Sequence, residues 1–116
     1  MGLKLLRRAS PAISLTVTIA TDADLTDAAV CDGYSFGMLY IPSNFDGTQI
    51  KFHVCDSYAG TYVVLIDDAG NDITYTVAAS KAIALPPEMF GATHFKIETV
   101  TDQATSNTVF TAELKG

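Results

Sequence analysis

The sequence predicts a single all-β domain, an antiparallel β-sandwich of jelly-roll or Ig-like type with about seven to eight strands and an extended N-terminal arm. Three observations carry this. Apolar and polar residues alternate over short runs. The runs are separated at short spacing by turns rich in Gly, Asp and Asn. No segment sustains a 3.6-residue period or the strand–helix alternation of a parallel sheet. With 116 residues, 48% of them hydrophobic, the chain is long enough for one ordinary domain with a buried core.

The division expected is an arm over residues 1–12 and a sandwich over 13–116. Residues 13–19, Ile-Ser-Leu-Thr-Val-Thr-Ile, alternate strictly, which directs Ile13, Leu15, Val17 and Ile19 to the core. Residues 20–35 read as a loop, in which Asp24 or Thr26 is suited to cap a helical turn. A second strand over 36–41 stops at Pro42. The turn Ser43-Asn44-Phe45-Asp46-Gly47 leads into a third strand over 49–55, with Ile50, Phe52 and Val54 inward and Lys51, His53 and Cys55 outward. Residues 61–66 and 73–77 are expected to form a hairpin around Asp67-Asp68-Ala69-Gly70-Asn71-Asp72. Residues 78–85 fit no single pattern. Pro86-Pro87-Glu88-Met89-Phe90 reads as one helical turn ended by Gly91. Strands over 94–100 and 108–114 close the domain.

The net charge is −6 and unevenly spread. The first twelve residues hold Lys4, Arg7 and Arg8 and no acid; the rest holds four lysines against thirteen acids. An acidic body repels phosphates, so nucleic-acid binding is not expected. The arm has apolar anchors in Leu3, Leu5 and Leu6 beside its cations, a composition that could touch nucleic acid and is equally suited to docking on an acidic protein surface, including a neighbouring copy. No apolar run is long enough to span a bilayer, no signal peptide is read, and no membrane association is expected. Cys31 and Cys55 are expected as free thiols, because nothing points to an oxidising compartment.

No set of residues announces catalysis. Nucleophile elbows, phosphate loops and dinucleotide fingerprints are missing from the sequence, and only His53 and His94 could serve as a histidine base. Asp67, Asp68 and Asp72 have the oxygen chemistry of a calcium loop, but Asp, Asn and Gly are also what a hairpin tip requires. His53, Cys55, Cys31 and His94 have zinc-ligand chemistry without zinc-ligand spacing. No metal, cofactor or catalytic residue is therefore expected. Five tyrosines leave a sugar-stacking surface open as an alternative, although there is no Trp.

Two runs are apolar on both faces. In 36–41, Phe36, Met38 and Tyr40 point one way and Leu39 and Ile41 the other. In 62–66, Tyr62, Val64 and Ile66 oppose Val63 and Leu65. A sandwich strand should keep one polar face, so a cover is expected, either the arm, the 20–35 loop or the 78–91 segment of the chain itself, or a symmetry mate or the shell of a larger assembly. On the second reading Val63 and Leu65 are partner-binding residues alongside Leu3, Leu5, Leu6, Arg7 and Arg8.

From Ile41 onward, runs of residues resemble a known group. They are Ile41-Pro42, Phe45-Asp46-Gly47-Thr48-Gln49-Ile50-Lys51-Phe52, Ala59-Gly60-Thr61-Tyr62 and Ile66-Asp67-Asp68-Ala69-Gly70. The pattern continues through residues 77–85, Pro87-Glu88-Met89-Phe90-Gly91, Phe95-Lys96-Ile97-Glu98 and 109–114. Together they cover about two-thirds of the chain and resemble small β-sandwich proteins encoded in the structural-gene regions of tailed bacteriophages and prophages. The resemblance implies a non-enzymatic virion structural protein, made in the host cytoplasm, in a head-decoration, head–tail or fibre-associated role. Its partners would be the major capsid protein or a head–tail or fibre protein, together with further copies of itself in a homo-oligomer, a trimer being one arrangement. The topology is also similar to discoidin-like sandwiches, some of which bind sugars. The alternative is accordingly a carbohydrate-binding module used in host-surface attachment.

Overall fold

The computed structural model of the chain describes residues 11–100 and 106–116. Among these residues nine strands run in order: β1 (Ala12–Ile19), β2 (Ala29–Val30), β3 (Phe36–Tyr40), β4 (Gln49–Cys55), β5 (Val63–Val64), β6 (Thr74–Thr76), β7 (Ala82–Ala84), β8 (His94–Thr99) and β9 (Thr108–Lys115). They form two antiparallel sheets, one of four strands in the order β1-β9-β3-β7 and one of five in the order β2-β8-β4-β5, with β6 also on β4. The chain passes from one sheet to the other at almost every connection. When β5 and β6 are counted as one interrupted lane along β4, this is the winding of a jelly roll. Among the described residues, no helix is long and apolar enough to cross a membrane.

The core lies between the sheets and is built by strand alternation. Val17 and Ile19 from β1, Leu39 from β3, Ile50 and Phe52 from β4 and Phe110 from β9 are fully buried. Phe45, from the turn before β4, packs edge-on against Phe110 with ring centroids 5.5 Å apart. Ile13 departs from expectation and is exposed, because β1 runs past the cover that the other sheet provides.

Three further expectations are corrected. Residues 20–35 hold no helical turn. Thr26 bridges to Ile19, Leu25 bridges to Glu98, and β2 pairs with β8. The Thr26 hydroxyl accepts the Ile97 amide at 2.9 Å and donates to the Asp27 carbonyl at 2.8 Å, so it ties strands together where a cap was expected. The hairpin over 61–77 exists only at its tip, at the Ile66–Asp72 bridge. β5 and β6 pair with β4, which is long enough to hydrogen-bond both and satisfies more backbone groups than an isolated ribbon. Cys55 is buried, because the chain at Gly60 lies so close that a Cβ there would stand 2.5 Å from its Sγ.

The 3₁₀ turn Pro87–Gly91 forms where two prolines and a glycine predict it. Beneath it lies Cys31, a free thiol like Cys55, within hydrogen-bonding reach of the Ala92 carbonyl (3.4 Å). Burial first, and the Asp32 carboxylate second, push the Cys31 thiol up from 9.0 to about 11. Below pH 9 the thiol is neutral in both folded and unfolded chain, and its contribution to stability is complete. Above pH 9 the unfolded chain ionises first, so stability falls as pH rises toward 11. Urea unfolding should show a loss of about 2 kcal/mol from this group between pH 8 and 10.5. Tyr75, raised chiefly by burial, adds to the same slope. The slope should flatten in Cys31→Ala; an unchanged slope would mean that the thiol ionises as readily folded as unfolded.

Candidate interaction surface

The two outer faces of the sandwich differ in chemistry. On the five-stranded sheet, outward side chains of β4 and β8 meet one another or residues of the segments around β5 and before β6. Lys51 Nζ is 2.9 Å from Asp72 Oδ2, and His53 Nε2 is 2.6 Å from Glu98 Oε1. Lys96 Nζ lies 4.5 Å from the centre of the Tyr62 ring, and the Tyr58 and His94 rings meet edge-on at 5.9 Å. Each such contact is worth about 1 kcal/mol or less at a solvated surface, but together they make a face whose charges are matched within the chain.

This arrangement also disposes of the zinc-type grouping. Cys55 and His94 are cross-strand neighbours, His53 is engaged by Glu98, and Cys31 lies in the core. Among the described residues, no three His, Cys, Asp or Glu side chains gather where they could hold a metal ion. The Asp67 loop is a turn held by its own first residue. Asp67 Oδ1 accepts the amides of Ala69 and Asn71, both at 2.9 Å, and Gly70 supplies a φ of +88°.

The four-stranded sheet presents an apolar stripe. β3 buries Gly37 and Leu39 and turns Phe36, Met38 and Tyr40 outward, at 55%, 38% and 42% exposure. Ala82 and Ala84 of β7 flank Tyr40 and Met38 on one side. On the other side Thr111 and Glu113 of β9 pair with the same two residues. Tyr40 donates to Glu113 Oε1 at 2.7 Å, and this hydrogen bond is the main reason its phenol is pushed up. β9 also sets the exposed Lys115 opposite Phe36, and beyond β9 the strand β1 contributes Ser14, Thr16 and Thr18, so the charges of Glu113 and Lys115 balance and the face is near neutral overall.

The residues expected to bind a partner fall differently. Leu3, Leu5, Leu6, Arg7 and Arg8 lie outside the described residues. Val63 is exposed, but it pairs with Val54, which packs on the core, and Leu65 packs against the core itself. The side that Val63 and Leu65 share is therefore the core-facing one, and they do not form an outer apolar face. The two-faced pattern of 36–41 was the more informative signal: Phe36, Met38 and Tyr40 form a continuous outward row, whereas Val63 and Ile66 are exposed singly on opposite sides of their run.

No protein-family model matches the chain, and no curated protein matches it. Among solved structures, the sandwich is similar to the crystal structure of the SPBc2 prophage-derived protein YomS. The TM-score is 0.63, and the match covers 96% of this chain and 98% of that one at 13% sequence identity. At that identity the likeness is one of fold.

Proposed function

We propose that this chain is a non-enzymatic structural protein of a tailed-phage virion, which docks on the capsid or a neighbouring virion protein through the outer face of its four-stranded sheet. The observation that carries the reading is the uncovered row Phe36, Met38 and Tyr40. An outward aromatic–thioether–aromatic row on a central strand gains from being removed from water, by roughly 25 cal/mol per Å² of apolar surface buried. The prophage source of a protein with the same fold over nearly its whole length supports a phage setting. The near-neutral face suits an acidic chain that must approach other proteins closely.

The sugar-binding alternative has weaker support. Tyr62 is occupied by Lys96, Tyr75 packs edge-on against Phe52, and Tyr34 packs against the core. The two well-exposed tyrosines, Tyr40 and Tyr58, stand on opposite faces of the sandwich and cannot stack on one sugar chain.

The test is mass spectrometry of purified particles carrying either the wild-type chain or the double variant Phe36→Asp, Met38→Lys. Wild type should be present at fixed copy number, and the folded double variant should fall by about tenfold or more, equivalent to 1.4 kcal/mol of binding. Absence of the wild-type chain, or equal incorporation of the variant, would refute the proposal.

A further inference from the structure

The edges of the two sheets are unequal. Among the described residues, four edge segments are short: β2 and β5 have two residues each, β6 and β7 three each. Short edges are a common protection against unwanted pairing. β1 is different. It is an edge strand of eight residues, Ala-Ile-Ser-Leu-Thr-Val-Thr-Ile, with no charge and no proline.

Its free hydrogen-bonding groups can be assigned. Gly116 donates its amide to the Pro11 carbonyl, so Pro11 faces β9. In an antiparallel ladder the facing alternates, so Ile13, Leu15, Val17 and Ile19 also direct their amides and carbonyls to β9. Ala12, Ser14, Thr16 and Thr18 direct theirs to the open side. Thr18 is already satisfied there: Asp27 Oδ1 accepts its amide at 2.8 Å, and the Asp27 amide donates to its carbonyl at 3.3 Å. Among the described residues, three consecutive open positions remain, at Ala12, Ser14 and Thr16.

We infer that this edge pairs with the same edge of a second copy, antiparallel about a twofold axis at Ser14. The register is set by the three open positions. Ser14 faces Ser14 of the second copy, and Ala12 faces Thr16 in both directions. Every open group between residues 12 and 16 is then used, and the four-stranded sheets join into one of eight strands. A sequence whose free positions are symmetric about their middle is complementary to itself, the requirement for an isologous contact. The same register sets Ile13 against Leu15 of the other copy. These two core-facing side chains are left exposed and half-exposed in the single chain, and pairing covers them. Two copies with a net charge of −6 each repel, and an uncharged edge is where they can approach. The dimer uses a different surface from the Phe36 row and stands independently of the virion reading.

The test is sedimentation equilibrium on the full chain, with circular dichroism as the folding control. Wild type should be dimeric. Ser14→Lys and Ser14→Asp each place like charges opposite one another at the axis, and each should raise the dimer dissociation constant by at least about a hundredfold. Ser14 is exposed, so both variants should stay folded. Mixing them in equal amounts should restore the dimer, because Lys then faces Asp. A monomeric wild type, a variant that keeps wild-type dimerisation, or a mixture of folded variants that stays monomeric would overturn the inference. Particle incorporation of Phe36 and Met38 variants reports on the other proposal, so the two fail separately.

Discussion

Gly37→Ala should destabilise the domain by about 2–4 kcal/mol, although it adds a single methyl group. Gly37 sits on the inward face of β3, opposite Leu114 of β9. A Cβ there would stand 2.5 Å from the Glu113 carbonyl oxygen, 2.8 Å from Leu114 Cδ2 and 3.2 Å from Leu85 Cδ1. The leucine methyls can rotate away. The carbonyl cannot, because it belongs to β9, which pairs with β1 on one side and β3 on the other. Relief therefore requires moving the central strand of the sheet. In urea unfolding the midpoint should drop with little change in slope. Met38→Lys, one residue further on and facing outward, is the control and should alter stability by no more than about 0.5 kcal/mol. A Gly37→Ala protein as stable as wild type would show that β3 and β9 can part without loss.

Phe52→Ala should lower stability by about 3–5 kcal/mol, a large share of the 5–15 kcal/mol typical of a domain. Phe52 is fully buried at the middle of β4. It pairs with Ile97 of β8, its carbonyl accepts the Leu65 amide at 2.8 Å, and its ring meets Tyr75 edge-on at 5.7 Å. β4 holds β8 on one side and both β5 and β6 on the other, so a cavity at Phe52 touches every long pairing in the five-stranded sheet except the edge at β2. Phe52→Leu keeps most of the volume and should lose about 1.5 kcal/mol or less. Equal losses in the two variants would mean that shape rather than volume governs this site.

Much of the fold is legible in the sequence because a strand advertises itself locally. The alternation in 13–19 and 49–55 identifies β1 and β4 and assigns Val17, Ile19, Ile50 and Phe52 to the core, where the structure places them. The prolines at 86 and 87 and the glycine at 91 mark the 3₁₀ turn. Asp67 and Gly70 mark a turn through side-chain acceptance and positive φ, both properties of single residues.

Pairing partners are not local, and the readings that depended on them failed. The runs around the Asp67 turn are adjacent in sequence, yet β5 and β6 both lie along β4, whose seven residues offer more hydrogen bonds than either offers the other. Residues 20–35 have the composition of a loop, but Leu25 and β2 are drawn into bridges by β8, about seventy residues away, and the Thr26 hydroxyl accepts the Ile97 amide of the same strand.

By itself the sequence determined that the chain forms a sandwich and which side chains of each strand share a face, because the two-residue period of a strand is a property of its backbone. It also determined that residues 36–41 are apolar on both faces. Only the tertiary structure decided which of those faces meets water. β3 takes its place between β9 and β7, Leu39 then meets the opposite sheet, and Phe36, Met38 and Tyr40 are left outside. The same holds for Val63 and Leu65, whose pattern matched an outer face until pairing with β4 turned Leu65 to the core. A strand's pattern divides its side chains into two sets, and the assignment of a set to core or solvent belongs to the sheet that covers it.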